Sequence, residues 1–358
     1  MNRIHNFSAG PAILPMPVLE ATKQVVEEYL GLGMSIMEMS HRSKPIVALF
    51  DETKENVLNL MKLSKDEYSV LFLGGGASMQ FAMIALNFLK NNADYINTGT
   101  WASNAIKEAK KVGNVNVAAS SEDSNFNYIP KKLNLSYNAD YLHFTSNNTI
   151  FGTRFSWIPE TKSPLICDMS SDMFSRDLDY SKFDLIYAGA QKNIGPSGVT
   201  MVVIKNSMLE KANSDLLTIF SYKTHVDKES MFNTPPVLPV FVVNETLKWI
   251  ENEGGLKAIE ERNNHKAGLI YNLIDELPEF YKGSVINKED RSIMNVTFNL
   301  PNEELEAKFV KEATAKNLDG LKGHRSVGGI RASIYNACPV ESCKALADFM
   351  KDFYSNNK

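Results

Sequence analysis

Residues 186–198 read Ile186-Tyr187-Ala188-Gly189-Ala190-Gln191-Lys192-Asn193-Ile194-Gly195-Pro196-Ser197-Gly198, so that one lysine stands between an apolar run and a glycine-rich turn. The apolar run has the length of a short buried strand, and the turn ends it. A lysine ammonium is costly to remove from water unless it is paired or chemically used. Lys192 is therefore a candidate to bind a carbonyl cofactor as a Schiff base; a solvated surface lysine is the alternative, since the chain has 38 basic residues.

Strands and helices alternate along the chain around Lys192. The run Tyr68–Leu73 predicts a buried strand, which Gly74–Gly76 joins to a helix over residues 77–89. The run Val199–Ile204 predicts a strand that pairs beside the lysine strand. Further strands are predicted near 95–97, 115–118, 141–144, 165–167 and 185–188, and further helices at 18–30, 44–62 and 102–111. This alternation indicates an α/β fold with a mostly parallel sheet that helices cover on both faces.

The pattern changes after about residue 240. Helices are predicted at 239–253, 255–276, 303–317 and 339–355, and strands at 292–298 and 329–334. This order indicates a smaller α+β domain. We expect the extended, proline-punctuated N-terminal segment to return to it.

Composition excludes several classes of protein. A net charge of -4 and a pI near 5.9 argue against a nucleic-acid binder, which needs a basic stripe. The three cysteines form no CxxC pair and no metal-ligand spacing, so we expect no metal and a reducing compartment. Because we find neither a signal peptide nor an apolar run long enough to cross a bilayer, we expect a cytoplasmic protein without a membrane partner.

Two strand ends carry further candidate groups. Gly74–Gly76 present backbone N–H groups at a helix start, a geometry that binds phosphate, although a tight turn is the alternative. Asp168 follows Leu165-Ile166-Cys167 and could hold a proton on a pyridine nitrogen or cap a helix. Adjacent parallel strands would place Asp168 and Lys192 at one edge of the sheet. This pairing favours a cofactor site.

Aromatic and basic residues complete the candidate set. Trp101, at another strand-to-helix turn, could stack on a flat ring, and Thr149 could bond a ring hydroxyl; alone, each is equally a core or loop residue. Arginine suits carboxylate and phosphate recognition, and two His-Arg pairs with a third arginine suggest a substrate with two anionic ends. Solvated surface charge is the alternative for these residues, which are His41, Arg42, His324, Arg325 and Arg331.

The motifs of this chain resemble those of the phosphoserine aminotransferase family, among the class V, fold-type I enzymes that use pyridoxal 5′-phosphate. The resemblance spans residues 4 to about 355. Its motifs are Asn6-Phe7-Ser8-Ala9-Gly10-Pro11-Ala12, Glu38-Met39-Ser40-His41-Arg42, Asp168-Met169-Ser170-Ser171, Tyr187 to Pro196, Met231-Phe232-Asn233-Thr234-Pro235-Pro236, Gly323-His324-Arg325 and Gly328 to Asn336.

The resemblance implies a large cofactor-binding domain at 16–255, with a mostly parallel seven-stranded sheet covered by helices as in aspartate aminotransferase. It also implies a small α+β domain at 256–358, with which residues 1–15 associate. Lys192 would hold the cofactor as a Schiff base and shuttle the proton between Cα and C4′, while Asp168 would pair with the pyridine nitrogen. Trp101 would stack on the ring, and Thr149 would bond its 3-hydroxyl.

The remaining implied roles concern anions. Ala77, Ser78 and Gln191 would hold the cofactor phosphate from one subunit, and Asn233 and Thr234 would complete the site from the other subunit of a homodimer with one cofactor per subunit. Some relatives have a basic residue at the position of Ser78, which leaves this phosphate with a hydroxyl, N–H groups and the helix dipole.

The substrate would be held by five residues. Arg331 would bind the α-carboxylate, and the distal phosphate or γ-carboxylate would be received by His41, Arg42, His324 and Arg325, the first two from the partner subunit.

The implied reaction is reversible transamination between L-glutamate and 3-phosphohydroxypyruvate in serine biosynthesis. The four-carbon substrate of pyridoxine biosynthesis, 3-hydroxy-2-oxo-4-phosphooxybutanoate, is open as a second acceptor. Alternatives within class V are an alanine–glyoxylate aminotransferase and a cysteine desulfurase, and a non-enzymatic anion-binding protein is a third. The number of cations, the absence of an obvious reactive cysteine and the joint occurrence of lysine, aspartate and glycine loop favour the first reaction.

Overall fold

The computed structural model describes residues 3–358, so Met1 and Asn2 of the predicted N-terminal segment lie outside the described residues. The α-helices are α1 Met16–Glu27, α2 Lys44–Met61, α3 Gly76–Phe88, α4 Thr100–Ala109, α5 Asn206–Leu209, α6 Tyr222–Asp227, α7 Val237–Asn252, α8 Gly255–Glu276, α9 Glu303–Ala315 and α10 Val340–Asn357. The strands are β1 His5–Asn6, β2 Tyr68–Leu73, β3 Asn92–Asn97, β4 Asn114–Ser120, β5 Leu142–Thr145, β6 Leu165–Asp168, β7 Leu185–Gly189, β8 Thr200–Lys205, β9 Lys282–Gly283, β10 Asn295–Asn299, β11 Leu318–Asp319 and β12 Ile330–Ser333.

A seven-stranded sheet in the order β2-β8-β7-β6-β5-β3-β4 forms the centre of the fold. Strand β8 is antiparallel to both of its neighbours, and the other pairings are parallel. The predicted α/β fold with a mostly parallel sheet is therefore confirmed, as is the pairing of 199–204 beside the lysine strand. The parallel register brings the ends of β5, β6 and β7 to one edge of the sheet.

Helices cover this sheet on both faces because its strands are apolar on both sides. Along β8, Val203 packs into the core that includes α1, α2 and α7, and Val202 packs into the core that includes α3 and α4. Successive side chains of a strand point to opposite faces, so a continuous apolar run requires a cover on each. No helix among residues 3–358 is both long and apolar enough to cross a membrane.

A second apolar core lies around a smaller antiparallel sheet in the order β12-β10-β9. It contains side chains of α8, α9 and α10, and Phe7 and Ile13 of the N-terminal segment. Strand β1 pairs in parallel with β11, where His5 lies opposite Leu318. The N-terminal segment thus joins this second core before the chain enters α1.

Several predicted boundaries differ from the structure by two or three residues, and two of these differences have a clear local reason. The helix predicted at 18–30 ends at Glu27, because Tyr29 N–H donates to the Met34 carbonyl (3.0 Å) and Leu30 takes a left-handed φ of 57°. The strand predicted from residue 292 begins at Asn295, because the Ser292 hydroxyl accepts the N–H groups of residues 294 and 295 at 3.0 and 2.9 Å. In both places a short turn displaces regular structure.

Phe309 is expected to be one of the largest single contributors to the second core. Its ring centroid lies 4.9 Å from that of Phe349, 5.1 Å from Phe353, 6.0 Å from Phe298 and 6.3 Å from Tyr281. We expect Phe309→Ala to lower the free energy of unfolding by about 3–5 kcal/mol, since it leaves a cavity among rigid aromatic rings. Urea denaturation followed by circular dichroism measures this change.

Tyr137 provides the control, because its side chain is 94% exposed. Tyr137→Ala should change the free energy of unfolding by less than about 0.5 kcal/mol. Equal stability of the two variants would contradict the assignment of Phe309 to a packed core.

Candidate active site

The predicted lysine and aspartate lie at the ends of two adjacent strands. Asp168 is the last residue of β6, and Lys192 follows the end of β7 by three residues. Strands β6 and β7 are parallel, with Asp168 opposite Tyr187. The sheet therefore delivers both groups to the same edge, as the strand pattern predicted.

Asp168 is buried, and hydrogen bonds hold one of its oxygens. Ser170 donates to Oδ1 from its N–H (2.9 Å) and its hydroxyl (2.6 Å), and the Ser170 hydroxyl accepts from Gly189 N–H (3.1 Å). The following residues form a turn, so the alternative role of Asp168 as a helix cap is not borne out. Burial raises the pKa of Asp168, whereas the Lys192 charge and the Ser170 hydrogen bonds lower it.

The Lys192 amine lies in a pocket with few ways to compensate a charge. Burial lowers its pKa, the Asp168 carboxylate opposes that shift, and the Arg331 guanidinium adds to it. Nζ lies 5.6 Å from the centroid of the Trp101 ring. The N-terminal segment passes close to this side chain, because a Cβ on Gly10 would lie 3.4 Å from Lys192 Cγ. A larger fraction of this amine is therefore neutral than for a surface lysine.

Trp101, Thr149 and Arg331 are joined by hydrogen bonds. Trp101, in the first turn of α4, donates from Nε1 to the Thr149 hydroxyl (3.0 Å). Arg331, on β12, donates to the Thr149 carbonyl (3.3 Å). The Arg331 Nε is buried and lacks a protein acceptor among the described residues. This guanidinium therefore has a donor available to a ligand.

His324 and Arg325 lie in the loop that precedes β12. Burial lowers the pKa of His324, and the positive charges of Arg331 and Arg325 lower it further. The loop is tightly closed, since a Cβ on Gly323 would lie 1.9 Å from the Gly328 carbonyl oxygen. The structure thus brings three of the five predicted substrate-binding residues into one basic cluster.

The glycine loop before α3 has the geometry of an anion site. Gly75 caps the helix with a left-handed φ of 86°, and Ala77 and Ser78 lie in the first turn, where N–H groups lack partners within the helix. A Cβ on Gly74 or Gly76 would meet nothing within 4 Å. Open space therefore lies beside these N–H groups. Gln191, next to the lysine, accepts from Ala12 N–H at 2.9 Å through its carbonyl.

Four predicted site residues lie on segments other than the strand ends that carry Asp168 and Lys192. Asn233 and Thr234 are exposed, and they line a cavity of about 360 Å³ together with Gly74 and Gly75. The other two, His41 and Arg42, lie in the turn before α2, where Arg42 is exposed.

Sequence reasoning missed the polar residues that support the site. The spacing Asp168-x-Ser170 is typical of a turn in which an aspartate accepts from the residue two positions on, so this contact had a local signal. Asn147 and Asn295 form a side-chain hydrogen bond of 2.8 Å although 148 positions separate them. Nothing local predicts such a pair. Among residues 3–358, no group of three or more potential ligands forms a metal site.

Comparisons with known proteins identify the family of this chain. The family model of class-V aminotransferases matches residues 4–346. The phosphoserine aminotransferase of Desulfosudis oleivorans is 54% identical over 360 residues, with 99% of each chain covered. That of Halalkalibacterium halodurans is 50% identical over 363 residues, with 100% of each covered. A solved structure of the phosphoserine aminotransferase from Bacillus circulans subsp. alkalophilus has a TM-score of 0.97 and 50% identity, with 99% of each chain covered.

These matches span the chain almost from end to end, and they confirm the resemblance that the motifs indicated. The chain therefore belongs to the class-V aminotransferase family and, within it, to the phosphoserine aminotransferases.

Proposed function

We propose that this chain transfers the amino group of L-glutamate to 3-phosphohydroxypyruvate, giving O-phospho-L-serine and 2-oxoglutarate in serine biosynthesis. The observation that carries the proposal is the meeting of Lys192 and Asp168 at one sheet edge, with the Arg331 guanidinium within electrostatic reach of the amine. Relatives and solved structures of this name share the fold over the whole chain.

The residues of the site fit pyridoxal 5′-phosphate. Lys192 supplies an amine for the aldehyde, the glycine loop leaves room beside free N–H groups, and Ser170 holds only one Asp168 oxygen, which leaves the other for the ring nitrogen. When bound, the cofactor withdraws electrons from the substrate Cα. From one chain the cofactor would be held by Lys192, Asp168, Trp101, Thr149, Ala77, Ser78 and Gln191.

Lys192 has the properties of the base that moves the substrate proton. Its pKa is lowered by burial, so at neutral pH the amine can take the proton from Cα and deliver it to C4′. Asp168, as a carboxylate, holds a proton on the ring nitrogen. The Arg331 guanidinium binds the α-carboxylate and orients Cα toward the amine.

The basic cluster accounts for a substrate with two anionic ends. Arg331 binds the end common to both substrates, and His324 and Arg325 receive the glutamate γ-carboxylate or the phosphate of the keto acid. The same residues suit 3-hydroxy-2-oxo-4-phosphooxybutanoate, which carries the same two anionic groups. We therefore extend the proposal to that substrate of pyridoxine biosynthesis.

A homodimer with one cofactor per subunit would bring in the residues that lie apart. Asn233 and Thr234 would complete the phosphate site of the second subunit, and His41 and Arg42 its substrate site. Apolar side chains are exposed beside these segments, as expected for a face that a partner covers. They are Leu30, Leu32, Met34, Met37, Leu217, Ile219 and Phe232.

The apolar cores around the large sheet and around the small sheet indicate how the chain divides into domains. We propose a large cofactor-binding domain at 16–255 and a small domain at 256–358 that residues 1–15 join, because Phe7 and Ile13 pack with α8 to α10. We propose the cytoplasm as the compartment, since the three cysteines are free and a reducing environment keeps them so.

The class-V alternatives fit less well. A cysteine desulfurase needs a reactive, accessible thiol, whereas Cys167, Cys338 and Cys343 are all buried. Alanine and glyoxylate lack a distal anion, so an enzyme for them has no use for the Arg325 charge or the His324 imidazole beside it.

The distal phosphate should dominate the choice of amino acceptor. With glutamate as donor, we expect kcat/KM for hydroxypyruvate to be roughly 100-fold lower than for 3-phosphohydroxypyruvate, because charge-assisted hydrogen bonds to the phosphate are lost. A coupled assay of 2-oxoglutarate release measures this ratio, and the pyridoxine-pathway acceptor belongs in the same assay. Arg325→Met should reduce the ratio, and Lys192→Ala should abolish both reactions. An enzyme that accepts the two keto acids equally would contradict the proposal.

The hydroxyl of Ser170 should set the acid limit of the reaction. Ser170→Ala removes a hydrogen bond that lowers the pKa of Asp168, so this carboxyl becomes protonated at a higher pH. We therefore expect the pH below which kcat falls to rise. The pH profile of kcat measures this change.

Ser181 offers a matched control. It makes the same pair of contacts to an aspartate two residues before it, Asp179, but on an exposed turn. Ser181→Ala should leave the pH profile unchanged. A Ser170→Ala profile that coincides with the wild-type profile would show that Ser170 does not tune Asp168.

Mixed dimers test the shared site. Lys192→Ala removes the amine of its own subunit, and Arg42→Ala removes a group that we assign to the partner's site. Each variant alone should be nearly inactive. After both are unfolded and refolded together, about a quarter of the activity should return, because half of the dimers then hold one complete site. If no activity returns although mass spectrometry detects the mixed dimer, Arg42 acts within its own subunit.

A further inference from the structure

Asn295 joins two parts of the active site through its side-chain amide. It is the first residue of β10 and is fully buried. Its Oδ1 accepts from Asn147 Nδ2 (2.8 Å), and its Nδ2 donates to the hydroxyls of Ser333 (3.0 Å) and Tyr335 (3.2 Å). Both amide hydrogens and the amide oxygen are therefore engaged, which fixes the amide in one orientation.

The bond to Asn147 reaches the loop that bears Thr149, which we assign to the cofactor. Asn147 lies two residues before Thr149, and its Nδ2 also donates to the Ser171 hydroxyl (2.9 Å). That hydroxyl donates back to the Asn147 carbonyl (2.8 Å) and belongs to the turn after Asp168. Asn147 is one end of the side-chain bridge that Asn295 forms. This end is thus tied to the segments that bear Thr149 and Asp168.

The bonds to Ser333 and Tyr335 reach the segments that bind the carboxylate and cover the lysine. Ser333 is the register partner of Asn295 and follows Arg331 by two residues on β12. The Tyr335 hydroxyl donates to the Ala9 carbonyl (2.7 Å), next to Gly10, which approaches the Lys192 side chain. One amide therefore links the loop of Thr149 to the strand of Arg331.

The direct contact between these two parts is weaker than the bridge. Arg331 reaches the Thr149 carbonyl at 3.3 Å, which is long for a charge-assisted hydrogen bond. The amide bond from Asn147 to Asn295 is 2.8 Å and buried, where its loss leaves polar groups without partners. The loop of Thr149 and the strand of Arg331 are therefore joined by a buried amide bridge as well as by this long direct contact.

We infer that Asn295 is a positioning residue that holds the Arg331 guanidinium at the distance from Thr149 and Lys192 that the substrate α-carboxylate requires. The inference rests on the proposed function, because it assigns the α-carboxylate to Arg331. Asn295 touches no reacting atom in this assignment and acts through Asn147, Ser333 and Tyr335. Its loss should change substrate affinity at a site whose other groups are intact.

The test uses Asn295→Ala in the cofactor-loaded enzyme. We expect KM for glutamate and KM for 3-phosphohydroxypyruvate to rise together by roughly tenfold, because both substrates place an α-carboxylate on Arg331. The dissociation constant of glutarate, an unreactive dicarboxylate measured by calorimetry, should rise by a similar factor. The variant should fold, because Thr297 still bridges β10 to the same loop by donating to the Phe151 carbonyl (3.1 Å).

Asn244→Ala is the matched control. Asn244 is also fully buried and has two side-chain hydrogen bonds, but both lead to α2, through Asn56 and Glu52. A merely structural role for Asn295 predicts that both variants lose thermal stability and keep wild-type KM and glutarate affinity per folded site. That outcome would overturn the inference.

Asn147→Ala, which cuts the bridge at its other end, keeps the test decisive if Asn295→Ala fails to fold. It should raise both KM values by a similar factor, and unchanged values would overturn the inference. A wild type that transaminates neither substrate rejects the proposed function instead. An active wild type with an unaffected Asn295→Ala variant rejects only the positioning role.

Discussion

The burial of an amine beside a carboxylate at the end of two parallel strands is the constraint on which the site depends. Burial lowers the pKa of Lys192 and raises that of Asp168, so it favours the neutral form of each group. Their mutual attraction opposes both shifts, and Ser170 adds two hydrogen bonds to the carboxylate. Lys192 is therefore neutral more often than a surface lysine, as a base that moves the substrate proton must be.

The sheet makes this balance possible by fixing where the two groups lie. Parallel pairing of β6 with β7 aligns their ends, and the antiparallel strand β8 packs against β7, so that Ala190 N–H donates to the Val199 carbonyl (3.1 Å) at the start of the lysine turn. The turn that carries Lys192 is thus fixed by the neighbours of β7 on both sides, β6 and β8. A lysine on a free loop would reach solvent and return to its ordinary pKa. The apolar strands carry no reacting group. They support the chemistry because their packing holds Asp168 and Lys192 in position and limits the access of water.

The features that sequence reasoning could reach are those with a local signal. Asp168 and Lys192 each follow an apolar run, and because the ends of parallel strands meet, two local patterns predicted that both groups lie at one edge of the sheet. The end of α1 depended on a turn around Leu30 that apolar spacing does not reveal. The bond between Asn147 and Asn295 lies wholly beyond such reasoning, because two asparagines 148 positions apart carry no mark of each other. Polar bridges between distant segments are set by the assembled backbone.

In the basic cluster, substrate specificity follows from an arrangement of basic groups that is unfavourable without a ligand. Burial lowers the pKa of His324, and repulsion by the positive charges of Arg331 and Arg325 lowers it further, so a third positive charge is unfavourable in the empty site. An anionic ligand relieves that repulsion, whereas a neutral side chain leaves it in place and loses hydration as well. Discrimination between phosphorylated and unphosphorylated keto acids therefore comes partly from repulsion present before the substrate arrives. The same reasoning favours the neutral Thr149 carbonyl as the acceptor for Arg331, because a carboxylate partner would satisfy the guanidinium in advance and remove its preference for the substrate.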